Sequence, residues 1–177
     1  MATPPVFSVG ATLTAAQMNA VGLWLVKSQT VGTGVTSVNI TNAFPSDFNA
    51  FKVLYTGGVA STGVTIGLTL GASTAGYSMS LPYVTYGSAT GSGTSVNGGT
   101  YWALAGYGTA NGMGLDVEIL DPNVAKYSRV HGWYISEAEA GAYAGIHKVA
   151  TAYTDLVFSF YGGTATGGTI SVYGFRK

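Results

Sequence analysis

The sequence predicts a mainly β protein: an antiparallel β-sandwich or jelly roll, preceded by an N-terminal extended arm and one short α-helix. Three observations lead there. Past residue 30 apolar side chains recur at every second position in several runs, the period of half-buried strands. Glycine, 27 of 177 residues, gathers between those runs as turn punctuation. Only one stretch, Leu13–Lys27, carries helical spacing. A chain of this length buries roughly 70% of its unfolded surface, so the core needs no covalent staple, in keeping with zero cysteines.

Met1–Gly10 reads as an extended arm, because Pro4 and Pro5 block helix. Val6 and Phe7 are apolar and suit either a neighbour's groove or a frayed end. In the helix that follows, Thr14 is the N-cap and Gln17 completes a capping box. Met18, Val21 and Leu25 recur at helical spacing beside Ala20 and Trp24, and Lys27 suits the C-terminal end of the dipole. At about 13 residues such a helix is marginal alone and must pack on its own domain or on another subunit. Ser28–Gly34, with Gly32 and Gly34, reads as a hinge, which places a boundary near residue 30. The expected units are 1–30, for attachment and oligomerisation through Phe7, Met18, Val21, Trp24 and Leu25, and 31–177, the sandwich.

The strands follow in order. Val35–Ile40 opens the sheet, and Ala43–Asn49 is a turn with aromatic anchors. Phe51–Tyr55 alternates, and Val64, Ile66, Leu68 and Leu70 define one face of the next strand. Tyr77–Tyr86, around Pro82, suits an edge strand or loop, and Gly87–Gly99 a long mobile surface loop. Tyr101–Ala105 resumes the sheet. Met113, Leu115, Val117 and Ile119 alternate with Gly114, Asp116 and Glu118, and after the Asp121-Pro122-Asn123 turn Tyr127–Ser136 should pair back as a hairpin. Glu137–Ala144 reads as small and flexible, and Ile146–Val149 as a strand. Asp155–Tyr161 is a strand with Leu156, Phe158 and Phe160 inward, Gly162–Gly168 a turn and Thr169–Phe175 the last strand. That makes about eight to ten short strands, the count of a sandwich.

Composition limits the function. Charged residues are 8% of the chain and cancel to zero net charge, against about 25% in an ordinary domain. Little charge repulsion keeps such a surface apart, so association with other copies is expected. A neutral chain lacks the basic face that nucleic acid requires. No run of 18 apolar residues marks a membrane span, and Met1–Pro5 lacks the charged start of a signal peptide.

Four stretches resemble known phage proteins. Leu13-Thr-Ala-Ala-Gln-Met-Asn19 is similar to the N-terminal helix start of tailed-phage tail and fibre proteins. Phe48-Asn-Ala-Phe-Lys-Val-Leu-Tyr55 with Val64–Leu70 resembles the opening of a β-sandwich at the C-termini of phage virion proteins, and Thr166-Gly-Gly-Thr-Ile-Ser-Val-Tyr-Gly-Phe-Arg176 its closing strand. Ser171 stands where that strand more usually has Arg, and residues 71–150 carry no part of the resemblance. The resemblance implies a virion structural protein, often a homotrimer attached by its N-termini with sandwiches outward. Expected partners are copies of itself and other virion proteins of capsid or tail.

Candidate chemistry is sparse. Asp116 and Glu118 share one strand face, with Asp121 at the turn; they could bind calcium, but the alternation makes them the polar face of a half-buried strand. His131 could join them across the hairpin, whereas His147 lies on another strand, and two histidines without a spaced partner make no zinc site. No Gly-x-Ser-x-Gly elbow supports a hydrolase and no Gly-Lys-Ser/Thr a phosphate loop. Tyr83, Tyr86 and Trp102 are candidate contacts for a host-surface glycan, since exposed aromatics stack on sugar rings; the competing reading places the aromatics in core and interface. The expectation is a non-enzymatic virion protein without cofactor. It is a short oligomeric fibre or spike, with a capsid or tail decoration protein that stabilises the particle as the alternative.

Overall fold

Alternation dictates most of the architecture. The computed structural model describes Val9, Gly10, Thr12 and residues 23–176. Its strands are β1 Leu23–Thr30, β2 Ser37–Ile40, β3 Phe48–Ala60, β4 Val64–Leu70, β5 Tyr77–Thr85, β6 Gly91–Gly99 and β7 Trp102–Thr109. They continue as β8 Gly112–Leu120, β9 Ser128–Ile135, β10 Glu139–His147, β11 Leu156–Tyr161, β12 Ala165–Thr166 and β13 Thr169–Arg176. All pairings are antiparallel.

Two layers emerge from the pairing. One runs β1-β13-β3-β8-β9-β10-β5-β6, the other β2-β11-β4-β7, and the β7–β8 hairpin joins them. Tyr55 of β3 meets Phe158 and Phe160 of β11 with ring centroids 6.4 and 6.1 Å apart, although those strands share no ladder. The layers therefore face one another across a core, consistent with a β-sandwich. Val64, Ile66, Leu68 and Leu70 are all buried in it, as are Val117, Ile119, Leu156, Phe158 and Phe160. The expected hairpin of the Met113 and Tyr127 runs also forms, Glu118 standing opposite His131.

The expected helix is overturned where it can be seen. Leu23–Lys27 belongs to β1, and among the described residues there is no helix; Leu13–Gly22 lies outside the described residues. The reason is parity. Leu23-Trp-Leu-Val26 also satisfies a period of two, and β13 supplies the backbone partners that a short helix would have to find within itself. Trp24 and Val26 turn towards the core while Leu23 and Leu25 face out. The chain beyond β1 is pinned rather than hinged: Val31 is buried and its N–H donates to Gly168 O, while Gly167 N–H donates to Gly32 O.

Three further expectations change. Gly91–Gly99, expected as a mobile loop, is edge strand β6, because β5 fixes its register through the backbone without any apolar period. Most of Glu137–Ala144, expected as small and flexible, belongs to β10, Glu139–His147, held between β9 and β5. Its small residues reflect close approach: a Cβ on Gly141 would collide with Pro82 O and with Tyr83. The strands among the described residues number thirteen, because the Gly162–Gly168 turn also contains β12.

Candidate binding cleft

The outward parity of β3, β8 and β9 builds an open concavity. Leu54, Asp116 and Trp133 stand in one cross-strand row, since Leu54 pairs with Asp116 and Asp116 with Trp133. Above that row the β7–β8 turn contributes Thr109 and Asn111, and the turn after β9 contributes Glu137. Together these elements enclose an open cleft of about 560 Å³, within the size range of small-molecule sites. Trp133 and Ile135 remain 62% and 63% exposed on its rim.

The polar end of the cleft is organised. Thr109 Oγ1 donates to Glu137 Oε1 at 2.7 Å and Asn111 Nδ2 donates to the same oxygen at 2.9 Å. Asn111 N–H in turn donates to Thr109 Oγ1 at 3.1 Å. The hydrogen bonds from Thr109 and Asn111 hold the Glu137 carboxyl below its ordinary range, so it is an anion with one oxygen already committed. Asp116 is spoken for on its other side by an ion pair with Lys52, whose ammonium also lies 3.8 Å from Glu118. His131 Nε2 stands 3.6 Å from Glu118 Oε2, on the next strand across the sheet. Among the described residues no group of three or more acidic, His or Cys side chains could hold a metal ion.

A second constellation brings a histidine to a serine. His147 Nε2 lies 2.9 Å from Ser73 Oγ, the spacing of a nucleophile and its base. The same nitrogen lies 3.0 Å from Ala75 O. A carbonyl only accepts, so Nε2 carries the hydrogen and cannot take the serine proton. Nδ1 is buried without a hydrogen-bond partner among the described residues, so no acid orients the ring. The imidazole packs instead against Tyr77 at 4.2 Å and Tyr153 at 5.4 Å, and burial pushes its pKa down.

The sequence-derived candidates are scattered. Phe7, Met18 and Val21 lie outside the described residues. Trp24 is half-buried against the core and Leu25 is exposed. Trp102 is corrected as a glycan contact: it is fully buried, its ring 5.3 Å from Tyr77, and offers no face to a sugar. A bulge around Leu104 (φ 54°) lets Trp102 and Ala105 both turn inward. Tyr86 is exposed and Tyr83 half-buried, and neither lines the cleft. Sequence reasoning missed Trp133. The signal was its parity, for Arg129, His131, Trp133 and Ile135 alternate with Val130 and Tyr134, so the charged members mark the outer face. No helix among the described residues is long and apolar enough to cross a membrane. Compared with protein-family models, curated proteins and solved structures, the chain matches none.

Proposed function

We propose that this chain is a non-enzymatic structural protein of a tailed-phage virion, a short oligomeric fibre or spike attached by its N-terminal region with a jelly-roll-type sandwich outward. One observation carries the oligomer: the outward positions in the first half of β1 are apolar. Leu23 and Leu25 are each 49% exposed, and Phe175 and Tyr173 stand opposite them on β13. Such an apolar strip on a chain with 8% charge is costly in water and is relieved by a second copy. The phage resemblance supports the virion setting, and its two framework stretches are direct neighbours, β3 pairing with β13 from Phe48 to Thr56. The crossovers implied by the order β2-β11-β4-β7 support the jelly-roll reading.

Light scattering on the purified chain at micromolar concentration tests the assembly, with a homotrimer expected; monomer alone would sink it. Imaging of intact particles tests the location. A few copies at a vertex or tail are expected, and a regular lattice over the head would make the protein a decoration protein instead.

A further inference from the structure

We propose that the cleft between β3, β8 and β9 binds a neutral pyranose glycan, stacked on the Trp133 indole and held through its hydroxyls by Glu137 and Asn111. The inference adds a ligand to the fibre reading without resting on it. Failure of glycan binding would leave the light-scattering and imaging tests as they stand.

The ligand class follows from the lining. A pyranose ring has an apolar C–H face and a rim of hydroxyl groups. Trp133 offers a broad exposed surface with Ile135 beside it, the complement of the C–H face. The polar end supplies acceptors in fixed positions. Glu137 Oε1 is occupied by Thr109 and Asn111, which orients the carboxylate and leaves Oε2 to accept from a sugar hydroxyl. Asn111 spends its Nδ2 on that carboxylate, leaving its Oδ1 as a second acceptor. These groups are held before any ligand arrives, so little ordering cost attaches to binding.

Charge narrows the class further. No Lys or Arg lines the cleft, and Lys52 beside it is committed to Asp116 and Glu118. Glu137 is thus the uncompensated charge of the site. Phosphorylated, sulfated or uronic sugars would meet a carboxylate without a cation, whereas a neutral sugar donates to it. The volume of about 560 Å³ and the open mouth suit a short oligosaccharide run rather than an enclosed single ring.

The test is an array of neutral hexose and N-acetylhexosamine oligosaccharides alongside uronic and sialylated ones, probed with the full chain. The tightest ligand is then titrated by calorimetry against Trp133→Ala, Trp133→Phe, Asn111→Ala and Tyr86→Ala. Neutral glycans should bind. Trp133→Ala should weaken them at least tenfold, Asn111→Ala several-fold and Tyr86→Ala not at all, while Trp133→Phe keeps part of the stacking and guards against a misfolded alanine variant. Binding of no array glycan, preference for acidic ones, or unchanged affinity in both Trp133 variants would overturn the proposal. So would dissociation of an oligomer by Trp133→Ala without any glycan bound, which would make the cleft a contact between copies.

Discussion

At the residue scale, His147 shows how burial decides chemistry. Its ring is enclosed by Tyr77, Trp102 and Tyr153, none of which offers it a counter-charge. Burial lowers its pKa from the ordinary 6.5, and the hydrogen bond to Ala75 O only partly opposes this. Below pH about 6.5 the unfolded chain therefore takes up a proton that the folded chain still refuses. Stability is fully present above that pH and falls as pH drops through the folded pKa. Thermal melts at pH 7.5 and pH 5 should show this loss, and His147→Gln, which can still donate to Ala75 O, should flatten it. The carboxylates of β8 behave differently. Asp116 and Glu118 flank Lys52, but their side chains keep 48% and 31% exposure. Replacing both with Asn and Gln should cost about 1 kcal/mol or less, as exposed ion pairs do. Calcium and a chelator should give the same melting temperature in the native chain; a calcium-dependent rise lost in the double variant would make these residues a metal site.

At the element scale, β1 carries the largest revision. It lies in the segment expected to serve attachment and oligomerisation, yet it pairs with β13 from Leu23–Phe175 to Thr30–Thr169, with one irregularity between Leu25 and Lys27. Trp24 and Val26 pack on the core. Partial burial of two such side chains contributes about 2 kcal/mol. A chain lacking residues 1–30 should therefore melt measurably lower than one lacking 1–22. Equal melting temperatures would mean that β1 is dispensable to the sheet. The last strand explains the Tyr173-Gly174 pair of the phage-like stretch: the Phe48 ring lies over Gly174, where a Cβ would collide with it. Turns are fastened in the same specific way. Asn123 Nδ2 donates to Pro45 O and Phe48 O, both at 2.7 Å, tying the β8–β9 turn to the entry of β3. Asp121, at φ 56°, takes the left-handed conformation that Asp tolerates.

At the scale of the whole molecule, the two-layer sandwich leaves its larger sheet with two distinct outward regions. Around β8 and β9 it is a row of polar side chains beside the cleft; around β1 and β13 it is the apolar strip of Leu23, Leu25 and Phe175. Only the second resembles a protein interface core, which is depleted in charge. Leu23→Ser with Leu25→Ser should lower the assembly state seen by light scattering while leaving the melting temperature of the isolated subunit nearly unchanged, because both side chains are about half exposed already. An unchanged oligomer would place the contact elsewhere on the chain.

Strand parity in β4, β8 and β11 was legible in the sequence because a period of two is a local property: Val64–Leu70 can bury only one set of side chains at a time. The β8–β9 hairpin was legible for the same reason, with its Asp-Pro-Asn turn. Long-range pairing decided the rest. Leu23–Lys27 satisfies helical and strand periods alike until β13 supplies a partner about 150 residues away, as the register Leu23 to Phe175 shows. Gly91–Gly99 carries no period, so only the edge of β5 makes it a strand. The small residues of β10 read as slack until Pro82 and Tyr83 are seen pressing on Gly141. The cleft is likewise a product of tertiary structure. Trp133 and Glu137 lie on β9 and the turn after it, Asn111 on the β7–β8 turn, and no spacing in the chain announces that these segments will meet.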